Sequence, residues 1–78
     1  MDIYSKVKEL LVEQLGVEEK NVSPGALLKE DLKADSLDLV EMMLSMEEVF
    51  KVKISEEDAE KILSVQDIVD YLKQNVHD

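Results

Sequence analysis

The segment Asp35-Ser36-Leu37-Asp38 contains the side chains of this chain that are best placed to do chemistry. The helical spacing of apolar residues after it predicts a helix that begins at Ser36. A helix start offers unpaired N–H groups and the positive end of the helix dipole, so a phosphate diester on the Ser36 hydroxyl would be well placed. The pattern therefore favours attachment of a phosphate-linked group at Ser36.

Catalysis by Ser36 is the first alternative, and it would require a base beside the hydroxyl. The only histidine, His77, is one residue from the C-terminus, where chains usually fray, and no GxSxG turn surrounds the serine. Asp35 and Asp38 could act as an acid–base pair, but carboxylates at a helix start are more often caps. We expect a protein that is not itself an enzyme.

A calcium site is the second alternative, because acidic residues cluster around Ser36. An EF-hand loop that began at Asp31 would place Ser36 where glycine is required and Met42 where glutamate is required. The sequence therefore predicts no dedicated metal site. Loose binding of a divalent cation, as charge relief, is a separate possibility for five residues: Glu30, Asp35, Asp38, Glu41 and Glu47.

Charge and composition indicate the kind of partner. The chain has 78 residues, 19 of them acidic and 9 basic, and eleven of the acids lie between Glu30 and Glu60. A net charge of -10 disfavours nucleic acid and anionic membranes and favours basic protein surfaces.

The chain lacks cysteine, so any thiol chemistry must come with a cofactor. The length predicts one domain over residues 1–78, which we expect to be monomeric. We expect the protein to be cytoplasmic and not to insert into membranes, since neither a signal peptide nor a spanning segment is visible.

The helices that must position Ser36 can be predicted from apolar periodicity and capping residues. The first should cover residues 3–15 and end at Gly16, a typical left-handed cap. The second should run from Ser36 to about Phe50, with Asp35 as its N-cap and Asp38 in a capping-box relation. Ser55 and Ser64 should begin a short helix at 56–62 and a last helix from Val65. These elements predict an all-α fold, a small four-helix bundle with three main helices and one short helix.

A loop of 20 residues, Gly16 to Asp35, separates the first two helices. Loops of this length are usually functional or disordered. Its apolar residues argue for order, because they can anchor the loop to the core: Val17, Val22, Leu27, Leu28 and Leu32.

The second helix has two apolar faces. The wide face should pack in the core and contains Leu39, Met42, Met43, Met46, Val49 and Phe50. A second stripe, Leu37, Val40 and Leu44, lies nearly opposite and is flanked by Glu41, Glu47 and Glu48. An apolar centre with an acidic rim predicts a surface for basic grooves on partner proteins. The alternative is that the stripe packs under the long loop.

These segments closely resemble bacterial fatty-acid acyl carrier proteins, and the similarity covers essentially the whole chain. It is strongest in Glu30-Asp31-Leu32-Lys33-Ala34-Asp35-Ser36-Leu37-Asp38-Leu39-Val40-Glu41, and it extends through Gln14-Leu15-Gly16-Val17, Glu47-Glu48-Val49-Phe50, Glu56-Glu57-Asp58-Ala59-Glu60-Lys61-Ile62 and Val65-Gln66-Asp67. Three positions depart from the usual pattern: Lys33 for a common glycine, Ser55 for a frequent proline and Val49 for a frequent acid.

The resemblance implies a role for each part of the chain. Ser36 would be esterified by 4′-phosphopantetheine, transferred from coenzyme A by a holo-acyl-carrier-protein synthase, and the arm's thiol would carry fatty-acyl cargo as thioesters. Fatty-acid synthesis enzymes would dock on the second helix. The cargo would be sheltered between helices, with Leu28, Met46, Ile54, Ala59 and Ile62 as candidate lining residues. The alternatives are a carrier of polyketide units, of an amino acid or of D-alanine, an unmodified helical adaptor, and a calcium sensor.

Overall fold

A computed structural model describes residues 2–76 and has four helices: α1 (Ile3–Leu15), α2 (Ser36–Phe50), α3 (Glu56–Lys61) and α4 (Val65–Asn75). A single 3-10 turn, Glu19–Asn21, interrupts the long loop. α1 packs against both α2 and α4. The predicted all-α bundle is confirmed, and within residues 2–76 the only β pairing is an isolated bridge between Leu27 and Ser64.

The core is built from the apolar faces of the three longer helices and from the loop. Its most deeply buried large side chains are Val7, Leu11, Leu28, Met42, Met46, Val65, Ile68, Val69 and Leu72. Full burial of one such side chain stabilises the fold by about 1.5–3 kcal/mol. The three methionines of α2 are core residues, as the sequence predicted, while Leu39 and Val49 are half-buried at the core's margin.

The loop between α1 and α2 is ordered because its apolar residues are anchored. Val22, Leu28 and Leu32 are buried, and the Tyr4 hydroxyl donates to the Val22 carbonyl at 3.3 Å. This confirms the prediction that apolar residues anchor the loop to the core. Leu27 is an exception among the expected anchors, since 39% of it is exposed while its N–H donates to the Asp31 carboxylate at 2.8 Å.

The helix ends follow the predicted caps. Gly16 ends α1 in the left-handed region with φ 67°, which costs glycine little. Ser55 caps α3, which ends at Lys61 with Ile62 as its C-cap, one residue before the predicted end. At α4, Ser64 and Asp67 form a capping box.

None of the helices within residues 2–76 combines the length and the apolar character that crossing a bilayer requires.

Candidate functional site

Ser36 is the first residue of α2, and the helix start around it is fixed by two aspartates. Asp35 is extended at the N-cap, and its carboxylate accepts the Asp38 N–H at 2.8 Å. The Asp38 carboxylate accepts the Asp35 N–H in return, at 3.2 Å. This is the predicted capping box, and it fixes the direction in which the chain enters α2.

Two backbone N–H groups at the start of α2, those of Ser36 and Leu37, are not used by the capping box. Within residues 2–76 neither Ser36 nor Leu37 has a hydrogen-bond acceptor for its backbone N–H. Both residues are exposed. A solvent-facing hydroxyl therefore stands beside two unpaired donors at the positive end of α2, and this arrangement suits an anionic group attached to that hydroxyl.

The charges near Ser36 are mostly negative. The three ion pairs among residues 2–76 lie on α1 and around the 3-10 turn, away from Ser36. Asp35 and Asp38 would repel a phosphate on Ser36. Neutralisation by basic side chains of a partner, or by a cation, would relieve that repulsion.

The second stripe of α2 faces solvent. Leu37, Val40 and Leu44 are 65%, 56% and 58% exposed, which excludes packing under the long loop. Leu63, between α3 and α4, is 61% exposed and enlarges the apolar surface. Its exposure was not predicted, because an apolar residue just before an N-cap usually packs against its own helix.

A groove of about 650 Å³ begins beside Ser36 and runs between α2 and α3. Its apolar lining consists of Leu39, Val40, Met43, Leu44, Ile54, Ala59, Ile62 and Leu63. Of the five candidate cargo-lining residues, Ile54, Ala59 and Ile62 lie here. Leu28 lines a smaller neighbouring groove of about 160 Å³, and Met46 is fully buried in the core.

The three glutamates beside the exposed stripe have different surroundings. Glu48 is exposed and has no hydrogen-bond partner among residues 2–76. Glu41 accepts the side-chain amide of Gln14 at 3.0 Å. Glu47 is half-buried, and its carboxylate accepts the backbone N–H of Ile54 at 2.8 Å. Periodicity placed all three glutamates on one face of α2. It could not reveal that Glu47 joins α2 to the segment between α2 and α3.

Tyr71 connects α4 to α3 and to the segment that precedes α3. Its hydroxyl lies 2.9 Å from the Lys53 carbonyl and 3.0 Å from the Asp58 carboxylate. Burial raises the pKa of the Tyr71 hydroxyl, and the hydrogen bond to Asp58 and the charges of Asp58 and Glu47 add to the rise. No sequence signal marked Tyr71, because its partners come from two other segments.

The sequence analysis also considered a calcium site and a catalytic base. Within residues 2–76 no three histidine or acidic side chains converge as metal ligands. His77, the weak candidate for a catalytic base, lies outside the described residues.

A helical bundle that presents a serine hydroxyl at an open helix start, next to an apolar groove, has the architecture of a carrier domain. Residues 5–72 match the family described as "Phosphopantetheine attachment site". The match covers most of the chain, and the protein belongs to this family. Its members carry covalently attached 4′-phosphopantetheine, which confirms the predicted cofactor, and a domain of this kind holds acyl cargo for partner enzymes.

Proposed function

We propose that the protein is an acyl carrier of bacterial-type fatty-acid synthesis with Ser36 as the attachment residue. A holo-acyl-carrier-protein synthase would transfer 4′-phosphopantetheine from coenzyme A to the Ser36 oxygen, which would lose its proton, and adenosine 3′,5′-bisphosphate would leave. When bound, the arm supplies a terminal thiol that holds fatty-acyl intermediates as thioesters. The observation that carries the proposal is the exposed Ser36 hydroxyl at an open helix start in a chain of the phosphopantetheine family.

The residues around Ser36 would position the arm rather than react with it. The free N–H groups of Ser36 and Leu37 would donate to the phosphate, and the Asp35–Asp38 capping box would keep them aligned. Preformed donors at a helix start bind a phosphate without rearrangement of the backbone.

The proposed docking surface consists of Leu37, Val40, Glu41, Leu44, Glu47 and Glu48, and it would receive fatty-acid synthesis enzymes. Its apolar centre is exposed, and the surrounding acids match the basic patches expected on such enzymes. Charge complementarity of this kind speeds encounter and selects partners more than it adds affinity. We include the exposed Leu63 at the edge of this surface.

Attachment can be tested by intact-mass measurement after incubation with coenzyme A and a phosphopantetheinyl transferase. We expect wild type to gain one phosphopantetheinyl group and Ser36→Ala to gain none. Ser23→Ala is the matched control, because Ser23 is an exposed loop serine, and it should be modified like wild type. Wild type that stays unmodified, or Ser36→Ala that is still modified, would contradict the proposal.

The cargo class can be tested separately from attachment. The lining of the groove is largely apolar, which suits a fatty-acyl chain better than an amino acid. We therefore expect purified fatty-acid synthesis enzymes to elongate acyl groups on the modified protein, whereas an amino-acid ligase should load it poorly. Efficient loading by the ligase together with no elongation would place the protein among carriers of other cargo.

We also propose that residues 1–78 form one acyl-carrier domain that is monomeric and cytoplasmic. The single core shared by α1, α2 and α4 supports the one-domain part of this proposal. Light scattering should give the mass of one chain, and a dimer at micromolar concentration would contradict it.

A further inference from the structure

The methionines of α2 differ in their access to solvent. Met42 and Met46 are 0% exposed, whereas Met43 is 9% exposed. A peroxide dissolved in water oxidises a thioether only where solvent reaches the side chain, because susceptibility to oxidation follows exposure. Within residues 2–76, Met43 is therefore the methionine that an oxidant in solution reaches without any unfolding of the protein.

Met43 meets solvent in the groove between α2 and α3. It lines the groove of about 650 Å³ together with Leu39 and Glu47, which lie four residues before and after it on α2. Residues four apart share one face of a helix, so Met43 is the middle member of a row along the wall of the groove. Met42 and Met46 are not part of this lining. An acyl chain that follows the row would cover the Met43 side chain.

Oxidation of Met43 would change the chemistry of this row. Hydrogen peroxide transfers one oxygen atom to a thioether: an S=O bond forms, the O–O bond of the peroxide breaks, and water leaves. The sulfur loses two electrons and the peroxide gains them, so no other reactant is needed. The product is a polar sulfoxide in place of an apolar side chain. Water can donate to its oxygen while the groove is empty, whereas an apolar chain lying over it would leave that oxygen without a hydrogen bond.

We propose that Met43 is an oxidation site and that its sulfoxide makes the groove a poor shelter for apolar cargo. While the thioether is intact, the row is apolar around Met43, and a bound acyl chain keeps peroxide away from the sulfur. Once the sulfoxide has formed, the chain loses its apolar contact in the middle of the groove, and the thioester spends more time in water. The part of this inference that concerns cargo rests on the proposed function, and the first test does not.

The first test exposes the unmodified protein to hydrogen peroxide and follows the isotope-labelled ε-methyl group of each α2 methionine by NMR. Met43 should be oxidised about tenfold or more faster than Met42 and Met46, because fully buried side chains react only when the fold opens. The control is the same reaction in denaturing urea, where the three methionines should react at similar rates. One common rate in the folded protein, or earlier oxidation of Met42 or Met46, would overturn the proposal.

The second test asks whether cargo covers Met43. The modified protein is loaded with an octanoyl group or, as the matched control, with an acetyl group that is too short to fill the groove. Neither form has a free thiol that would consume peroxide. Oxidation of Met43 should be several-fold slower in the octanoyl form than in the acetyl form. Equal rates in the two forms would contradict the placement of cargo over Met43.

The third test measures the effect of the sulfoxide on the shelter. Unmodified protein is oxidised first and then modified and loaded with an octanoyl group, and cleavage of the thioester by hydroxylamine is timed. Cleavage should be several-fold faster than in protein that saw no peroxide, and methionine sulfoxide reductases should restore the slower rate. Met43→Leu keeps an apolar side chain of similar volume that peroxide cannot oxidise, so the same treatment should not change its rate.

Two outcomes of the third test would overturn the claim about the shelter: equal cleavage in oxidised and untreated wild type, or an equal acceleration by peroxide in Met43→Leu. A protein that cannot be loaded in any form would contradict the proposed function instead. The oxidation rates of the unmodified protein would then still stand.

Discussion

The starts of α2 and α4 have the same local design and opposite accessibility. Each has a capping box between its N-cap and an aspartate three residues on. At α4 the first residue, Val65, is fully buried, and the N–H groups of Val65 and Gln66 donate to the carbonyls of Ala26 and Pro24 at 3.0 and 2.9 Å. At α2 the corresponding residue is the exposed Ser36, and the N–H groups of Ser36 and Leu37 have no acceptor among residues 2–76.

The difference lies in the long loop and not in the caps. Every helix start leaves N–H groups that need acceptors. The carbonyls of residues 24 and 26 in the long loop accept those of α4, and no loop carbonyl within residues 2–76 does the same for Ser36 and Leu37. The open start of α2 is therefore an available site for an anion. The start of α4 is instead occupied by hydrogen bonds that attach the helix to the long loop. A capping motif alone cannot tell the two apart.

Exchanging the first residues of the two helices should give the largest contrast in stability. Val65→Ser leaves a cavity and buries a hydroxyl, so the free energy of unfolding should fall by about 2–4 kcal/mol. Ser36→Val lies at an exposed position and should change it by about 0.5 kcal/mol or less. Urea unfolding followed by circular dichroism measures both. Similar losses for the two variants would mean that the start of α2 is not open.

Removing the caps should have smaller and more nearly equal effects. Asp35→Ala and Ser64→Ala should each lower the free energy of unfolding by about 1 kcal/mol in the unmodified protein. After phosphopantetheine attachment the loss from Asp35→Ala should shrink, because Asp35 repels the phosphate, while the loss from Ser64→Ala should stay the same. Thermal unfolding of both forms checks this. An Asp35→Ala loss that does not change on attachment would argue against a phosphate beside Asp35.

The approach to α2 also carries backbone strain that can be relieved. Lys33 has φ 60°, in the left-handed region that is costly for residues with a side chain, whereas Ile62, in the same place before α4, has φ −87°. Lys33→Gly should raise the free energy of unfolding by about 0.5–1 kcal/mol. Lys53→Gly is the control, because Lys53 is not among the residues with positive φ. This substitution should lower the free energy of unfolding. A loss in both variants would show that Lys33 is not strained.

The smallest effect should come from the Tyr71 hydroxyl of α4, which contacts the Lys53 carbonyl and the Asp58 carboxylate. The pKa of Tyr71 is raised above its ordinary value of 10.0, so the folded protein holds this proton more tightly than the unfolded chain does. Its stabilising contribution is complete below about pH 10 and is lost as the pH rises through the raised pKa. The difference in melting temperature between wild type and Tyr71→Phe should therefore narrow in alkaline solution. A constant difference would contradict the assigned shift.

Local pattern was sufficient to predict most of the fold. Helical spacing of apolar residues gave the bounds of α1 and α2 as the structure has them, because one face of each helix packs in a single core. The Asp35, Ser55 and Ser64 caps were also predictable, since capping is decided within four consecutive residues. The attachment motif around Ser36 is local in the same sense.

Features that depend on distant segments could not be predicted. The hydroxyl of Tyr71 contacts Lys53 and Asp58, which are 18 and 13 residues away in sequence. The Glu47–Ile54 bond spans only seven residues, but it depends on how the chain turns after α2. The exposure of Leu63 depends on the packing of its neighbours. Met46 and Leu28 belong to helix or loop faces whose neighbours only the tertiary packing decides. The left-handed backbone of Lys33 was not predicted, because periodicity carries no information about φ; the one signal was that glycine is common at this position in similar chains.

The long loop between α1 and α2 holds the start of α4 in place. It does so through the bridge between Leu27 and Ser64 and through the carbonyls of Pro24 and Ala26. A protein engineer who trims this segment to obtain a simpler scaffold would unravel the first turn of α4, although the cut lies far upstream. Extra residues are better inserted near Glu18 and Lys20, which are exposed. Shortening between Ser23 and Leu28 would damage a helix that the edited segment does not contain.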